Sequence, residues 1–328
     1  QAHYHIETGG LAEDPVGKAR LEQTLGLRSA GSIGDIVFLA GPDFTLNVNV
    51  FAFRSSTAEY LGSFALESYS NIRKWKEIGG HLYTALAVSG DAIVDGNYGH
   101  VLKWVGTPDA PFTGPDGSAP FVVVGTLPGQ GAELSEYGTD RIAVSTWPGG
   151  FDEVASGGNL VIGDLKHAGI YLSAPLPVDG LDPANAENNF SEVFTFADYD
   201  PDMARSFAYG GGALAYYDGW LVWGSMHVPF TGYMAVAGAY APFGLPVDFQ
   251  DCRDLIGATS EACPWDDPFN LGFEDQCIGG KYFSASPELQ SSFENCLNEI
   301  DITWQATQQA ISIFRGRNLE AEAKEERE

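Results

Sequence analysis

The chain has 328 residues, with 44 Asp and Glu against 17 Lys and Arg, for a formal net charge of −27. That charge repels nucleic acid and anionic lipid, so direct nucleic-acid binding is not expected, and with no run of 18 or more apolar residues no membrane span is expected either. The 44% apolar content supplies a substantial core, and 40 glycines and 18 prolines spread along the chain suit many short strands joined by turns.

The N-terminal segment, residues 1–30, opens with Gln1-Ala2-His3, which reads as a mature end left by signal cleavage. With a free amine, His3 and then His5 would suit square-planar Cu(II) or Ni(II). Residues 11–25 are a helix candidate.

From residue 31 one strand pattern recurs four times, at 34–41 (GDIVFLAG), 80–87 (GHLYTALA), 140–147 (DRIAVSTW) and 219–226 (GWLVWGSM). Each begins with a turn signal, runs into β-branched and aromatic residues, and ends in small residues. Second apolar runs follow at 46–53, 101–107, 169–174 and 310–315, and third runs at 60–66, 121–127 and 193–197. Weaker runs precede the later anchors at 72–75, 132–137 and 204–209. Repeats of this size in all-β segments predict a β-propeller with about four blade units, near 20–68, 71–127, 132–198 and from 204 onward. Runs such as 121–127 (FVVVGTL) do not alternate, as expected of strands covered on both faces.

The blades span 31–245. A cysteine-rich insertion at 246–302 interrupts the fourth, a returning blade strand lies in 303–318, and 319–328 is a charged tail. Four units lacking one outer strand do not close a ring, so a partner, self-association or further blades of a longer chain are expected to cover the open edge. Cys252, Cys263, Cys277 and Cys296 all fall in the insertion. An even, clustered count predicts two disulfides and an oxidising compartment, hence a secreted, surface or periplasmic protein. Their gaps lack the paired spacing of zinc ribbons. Of three connectivities, the ease of closing short loops favours Cys252–Cys263 with Cys277–Cys296.

The run Asp198-Tyr199-Asp200-Pro201-Asp202, the stretch Gly210-Gly211-Gly212-Ala213-Leu214, residues 219–229 (GWLVWGSMHVP), Thr146-Trp147-Pro148 and residues 311–318 (ISIFRGRN) resemble exported bacterial propeller-like proteins of uncharacterised function. That resemblance implies the propeller fold, with further blades downstream in some members, and supplies no catalytic residues.

Candidate chemistry is sparse. His227, with Trp223 and Ser225 near it, ends an anchor strand and would face the axis or top of the propeller, but no nucleophile elbow or acidic orienter accompanies it. Asp198, Asp200 and Asp202 alternate as hard-cation ligands do, which suggests calcium as a cofactor, while Asx-turn chemistry explains the same residues. Trp265 and Phe269 sit among Asp266, Asp267, Glu274 and Asp275 in the insertion and form a candidate recognition surface. Asp91, Asp95, Asn97 and His100 share one polar loop, and Asn189-Phe190-Ser191 is the one glycosylation sequon. The composite reading is an interaction or structural module of an extracellular assembly. The alternatives are an enzyme acting on carbohydrate or a small molecule at the channel mouth, and a calcium-dependent binder.

Overall fold

A computed structural model describes residues 6, 9–94, 96–149, 166–201, 203–227, 249–259, 261–263, 276–306 and 313–316. The N-terminal helical segment divides at Asp14-Pro15 into α1 (Gly10–Glu13) and α2 (Pro15–Gln23). Asp14 caps α2 by accepting from the Val16 N–H, and Pro15 occupies the first helical turn, where its missing N–H costs nothing. The first blade is an antiparallel meander of β1 (Ser29–Ile33), β2 (Ile36–Pro42), β3 (Asn47–Arg54) and β4 (Tyr60–Glu67).

The pattern then repeats. The second blade contains β5 (Tyr69–Ile78), β6 (His81–Val88), β7 (Gly99–Trp104) and β8 (Phe121–Leu127) in that order. The third contains β9 (Gln130–Tyr137), β10 (Arg141–Trp147), β11 (Gly169–Ser173) and β12 (Phe190–Thr195). Two short helices, α3 (Phe196–Tyr199) and α4 (Met203–Phe207), lead into a three-stranded fourth blade. It comprises β13 (Tyr209–Tyr217), β14 (Trp220–His227) and β15 (Ile313–Gly316). The expected strand run at 204–209 is therefore mostly α4, and the strand begins at Tyr209.

The four anchor strands are β2, β6, β10 and β14, the second strand of each blade. The innermost strands are β1, β5, β9 and β13, which pack against one another in succession. Alternate residues of one strand face opposite neighbours. Leu82 and Leu86 of β6 join Ile36, Phe38 and Val50 of the first blade, whereas Tyr83 and Ala85 join Leu134, Ile142 and Val144 of the third. Leu214, Leu221 and Trp223 then join Ile170 and Leu172 between the third and fourth blades. This two-sided burial is why the strands read as continuous apolar runs.

Blades approach closely where glycine allows it. A Cβ on Gly131 of β9 would lie 2.8 Å from the Leu86 carbonyl oxygen and 2.9 Å from its nitrogen. On Gly211 of β13 it would lie 2.6 Å from Ser145 Oγ. No comparable packing returns from β13 to β1 among the described residues. The architecture is an all-β propeller arc of four blades with an open ring.

The insertion is helical, with α5 (Phe249–Leu255), α6 (Gln276–Ser284) and α7 (Pro287–Ala306). The helix expected near Pro287 is present and runs to Ala306, so the returning strand is the short Ile313–Gly316. Ile256, Ile278 and Phe293 make a separate small core with the cysteines. The disulfides are nested, Cys252–Cys296 and Cys263–Cys277, which corrects the sequential pairing. Helix packing decides this: α5 lies against α7 and brings Cys252 to Cys296 across 44 positions, so loop length does not govern the choice.

Candidate binding rim at the propeller axis

The first residues of the inner strands meet the last residues of the second strands at one end of the axis. Their register pairs Ser29 with Ala40, Tyr69 with Val88, Gln130 with Trp147, and Tyr209 with His227. Strand β5 is irregular there, with register shifts between Tyr69 and Asn71 and between Ile72 and Lys74. Ser70 and Arg73 are the extra residues, and bulges of this kind redirect side chains.

Arg73 is redirected onto the third blade. Its guanidinium carbon lies 4.2 Å from the Trp147 ring centroid, a cation–π contact between blades. The Trp147 indole Nε1–H donates to the Gly211 carbonyl at 2.9 Å, tying in the fourth blade. The neighbouring lysines are committed elsewhere. Lys74 Nζ lies 3.6 Å from Glu133 and donates to the Leu214 carbonyl at 3.3 Å, and Lys76 pairs with Glu136 at 2.8 Å.

Two arginines remain. Burial pushes Arg73 below its ordinary value, the nearby Arg28 charge pushes the same way, and Glu133 opposes them. Neither Arg28 nor Arg73 has a carboxylate at ion-pair distance among the described residues. Ser29 Oγ, Asn71 Oδ1, Arg73 Nε and Ser145 Oγ are all buried without a hydrogen-bond partner. Buried polar atoms are seldom left so. Contacts run from Arg73 to Trp147, from Trp147 to Gly211, and from Gly211 closely over Ser145.

The residues singled out from sequence fall in different places. The backbone of His227 ends β14 at this rim. Trp223 is 7% exposed and lies between the third and fourth blades, with its ring on Phe194 and Phe314. Asp198 is in the first turn of α3, whose N-cap is Thr195, and Asp200 Oδ1 lies 3.3 Å from Arg205 Nη2. Asp202, Trp265, Phe269, Asp266, Asp267, Glu274, Asp275, Asp95, His3 and His5 lie outside the described residues. Among the described residues no group of three or more His, Cys, Asp or Glu side chains is placed to hold a metal.

His100 and Asn189 have structural partners. The Tyr69 hydroxyl lies 2.8 Å from His100 Nδ1. Burial pushes the phenol up to about 12 and the imidazole down, so a neutral His100 accepts from Tyr69. The Asn189 amide is buried and donates to the Val124 and Asp182 carbonyls, which makes it a tie between the second and third blades rather than an exposed acceptor for glycan. Sequence reasoning missed Arg28, Arg73 and Asn71. The interrupted pattern of β5, where Arg73 and Lys74 follow Ile72 before Trp75, is the trace a bulge leaves.

No protein-family model and no curated protein matches the sequence. Three solved structures show a likeness at low sequence identity. The β-propeller domain of the trilobed protease from Pyrococcus furiosus is 9% identical, with 62% of this chain covering 50% of that one at a TM-score of 0.33. The native arabinanase of Bacillus subtilis is 12% identical, with 62% of this chain covering 67% of that one at 0.32. A GH43_1 enzyme from Xanthomonas citri complexed with xylose is 16% identical, with 63% of this chain covering 70% of that one at 0.32. The chain thus spans half to about two thirds of these structures' lengths, and its own sheet order and packed inner strands define the fold.

Proposed function

We propose that the chain is a secreted or surface-exposed propeller module that binds a partner chain in an extracellular assembly through the open side of its fourth blade. The observation that carries this reading is the fourth blade, which has three strands among the described residues and an exposed outer face. Its third strand is four residues long, Ile313 is 81% exposed, and Tyr217 of β13 is 78% exposed. An open sheet face bearing large apolar side chains is a ready association surface. Two disulfides favour an oxidising compartment, and no helix among the described residues is long and apolar enough to cross a membrane.

The test is sedimentation velocity on the full chain, wild type beside Tyr217→Glu/Ile313→Glu. Wild-type association that the double variant abolishes supports the reading. Association untouched by the double variant overturns it, and a wild-type chain that stays monomeric at every concentration overturns self-association as the form it takes. Hydrolysis of arabinan or xylan by the full chain would favour the carbohydrate-enzyme reading instead. Such an enzyme needs two available carboxylates; at the axis Glu133 and Glu136 are engaged by Lys74 and Lys76.

A further inference from the structure

Strands β2 and β3 bury Ile36, Phe38, Val48 and Val50 against the second blade. The alternate residues, Val37 and Leu39 of β2 with Phe51 and Phe53 of β3, lie on the opposite face. Register sets Val37 beside Phe53 and Leu39 beside Phe51, so these four apolar side chains form one patch. The N-terminal segment roofs it: Leu11 of α1, Leu21 of α2, Leu27 and Ile6 line the other side of a cavity of about 360 Å³. Leu11 and Phe51 are buried in its depth, whereas Leu27 is 48% exposed and marks its mouth. The roof is pinned to the blade beside the cavity. The Tyr60 hydroxyl donates to Asp14 Oδ2 at 2.9 Å, Arg20 Nη1 donates to Ser63 Oγ at 2.8 Å, and Asn49 Nδ2 donates to Thr24 Oγ1 at 3.1 Å. Those pins hold the helices at a fixed height, so the cavity does not close by collapse.

The lining narrows the chemistry of an occupant. Water needs two to four polar partners, and the Leu, Val and Phe walls offer it none, so an apolar molecule suits the space better. The volume is that of a small-molecule pocket. Arg54 and Ser55 are the polar lining residues, and both are engaged: Arg54 Nε donates to Glu59 Oε2 at 3.0 Å, and Ser55 Oγ donates to Asp35 Oδ1. An anion entering beside Arg54 meets the Glu59 and Asp35 carboxylates. A cation carried inward loses its hydration against apolar walls. An uncharged ligand bears neither cost.

We propose that the cavity between the N-terminal helices and the first blade is a binding site for a small uncharged lipophilic molecule, a hydrocarbon chain or ring bearing at most a hydroxyl group. The site uses no residue of the fourth blade, so the inference stands or falls independently of the partner reading.

Fluorescence titration of the full chain with the neutral probe N-phenyl-1-naphthylamine tests it, with 1-octanol, octanoate and octylammonium as competitors. Leu27→Trp should plug the mouth, and Val178→Trp, at a position 93% exposed in the link between β11 and β12, is the control. Unchanged circular dichroism qualifies both variants, and Ile6→Trp, at a lining position 53% exposed, takes the place of Leu27→Trp if that variant fails. The expected result is saturable binding to the wild type, weakened about 10-fold or more by the plug, as the loss of apolar contact area implies, and unchanged in Val178→Trp. Octanol should displace the probe at lower concentration than octanoate or octylammonium. No saturable binding, equal binding to a folded plug variant, or displacement by either charged competitor as readily as by octanol overturns the inference. Binding that appears only in Tyr4→Ser assigns the cavity to the chain's own N-terminal residues and overturns it as well.

Discussion

Gly131→Ala should destabilise the protein, and the sign of the effect is the informative part. In a strand with no positive φ, exchanging Gly for Ala removes unfolded-state freedom and by itself stabilises by about 0.4–1 kcal/mol. At Gly131 the new Cβ meets the Leu86 backbone at 2.8 and 2.9 Å and the Ala85 Cβ at 3.2 Å. Backbone in the middle of β6 cannot rotate away, so β9 must retreat from the second blade. Overpacking of this kind costs about 1–3 kcal/mol. The net expectation is a loss centred on about 1.3 kcal/mol and no larger than about 2.6 kcal/mol, being that cost less the entropic gain. Urea unfolding followed by tryptophan fluorescence measures it as a lower midpoint at unchanged slope. Gly26→Ala is the control, since nothing lies within 4 Å of its Cβ position, and it should be neutral or slightly stabilising. A Gly131→Ala midpoint at or above wild type would refute the close approach of the second and third blades.

Non-reducing peptide mapping should recover Cys252 with Cys296 and Cys263 with Cys277; a Cys252–Cys263 peptide would show that the helices of the insertion do not pack as described. Removing Cys252–Cys296 should cost the insertion about 4 kcal/mol and removing Cys263–Cys277 about 3 kcal/mol, in line with their loop lengths, with protease nicking as the readout. Burial lowers the His100 value from its ordinary 6.5. The unfolded chain therefore binds the proton more readily, and stability is full above about pH 6.5 and declines as the pH falls toward the folded value. In His100→Gln the decline between neutral and mildly acidic pH should be shallower, and an identical pH profile would count against a neutral buried imidazole. Phe38→Ala should cost about 3–5 kcal/mol, because the fully buried Phe38 ring touches Trp75, Trp104, Phe112 and Phe121 at the joint of the first two blades; a loss under 1 kcal/mol would mean that joint is loose.

The second strands were legible because each must be apolar on both faces, and that leaves a run such as LYTALAV, in which Thr84 is the one polar residue. The inner strands were not. β1 is SAGSI and β13 opens YGGG, sequences of low strand propensity that exist as strands because small residues let the blades converge. Residues 204–209 show the opposite error: an apolar run whose first part is a helical turn closing the link from α3 to β13. The disulfide pairing was hidden because it follows from helix contacts distant in sequence. Arg73 was hidden because a bulge is a relation between two strands, and neither strand alone records it. What the sequence did show of the rim was Trp147 and His227, at the ends of their anchors.

The position of the insertion between β14 and β15 links its long disulfide to completion of the fourth blade. β15 can join β14 only after about 86 intervening residues have been traversed, the longest excursion in any blade. Closing Cys252–Cys296 short-circuits the middle of that excursion and roughly halves the free chain, worth about 0.6 kcal/mol of closure entropy for each halving. Completion of the fourth blade is thereby favoured by thiol oxidation, which raises the weight of the β14–β15 pairing about threefold.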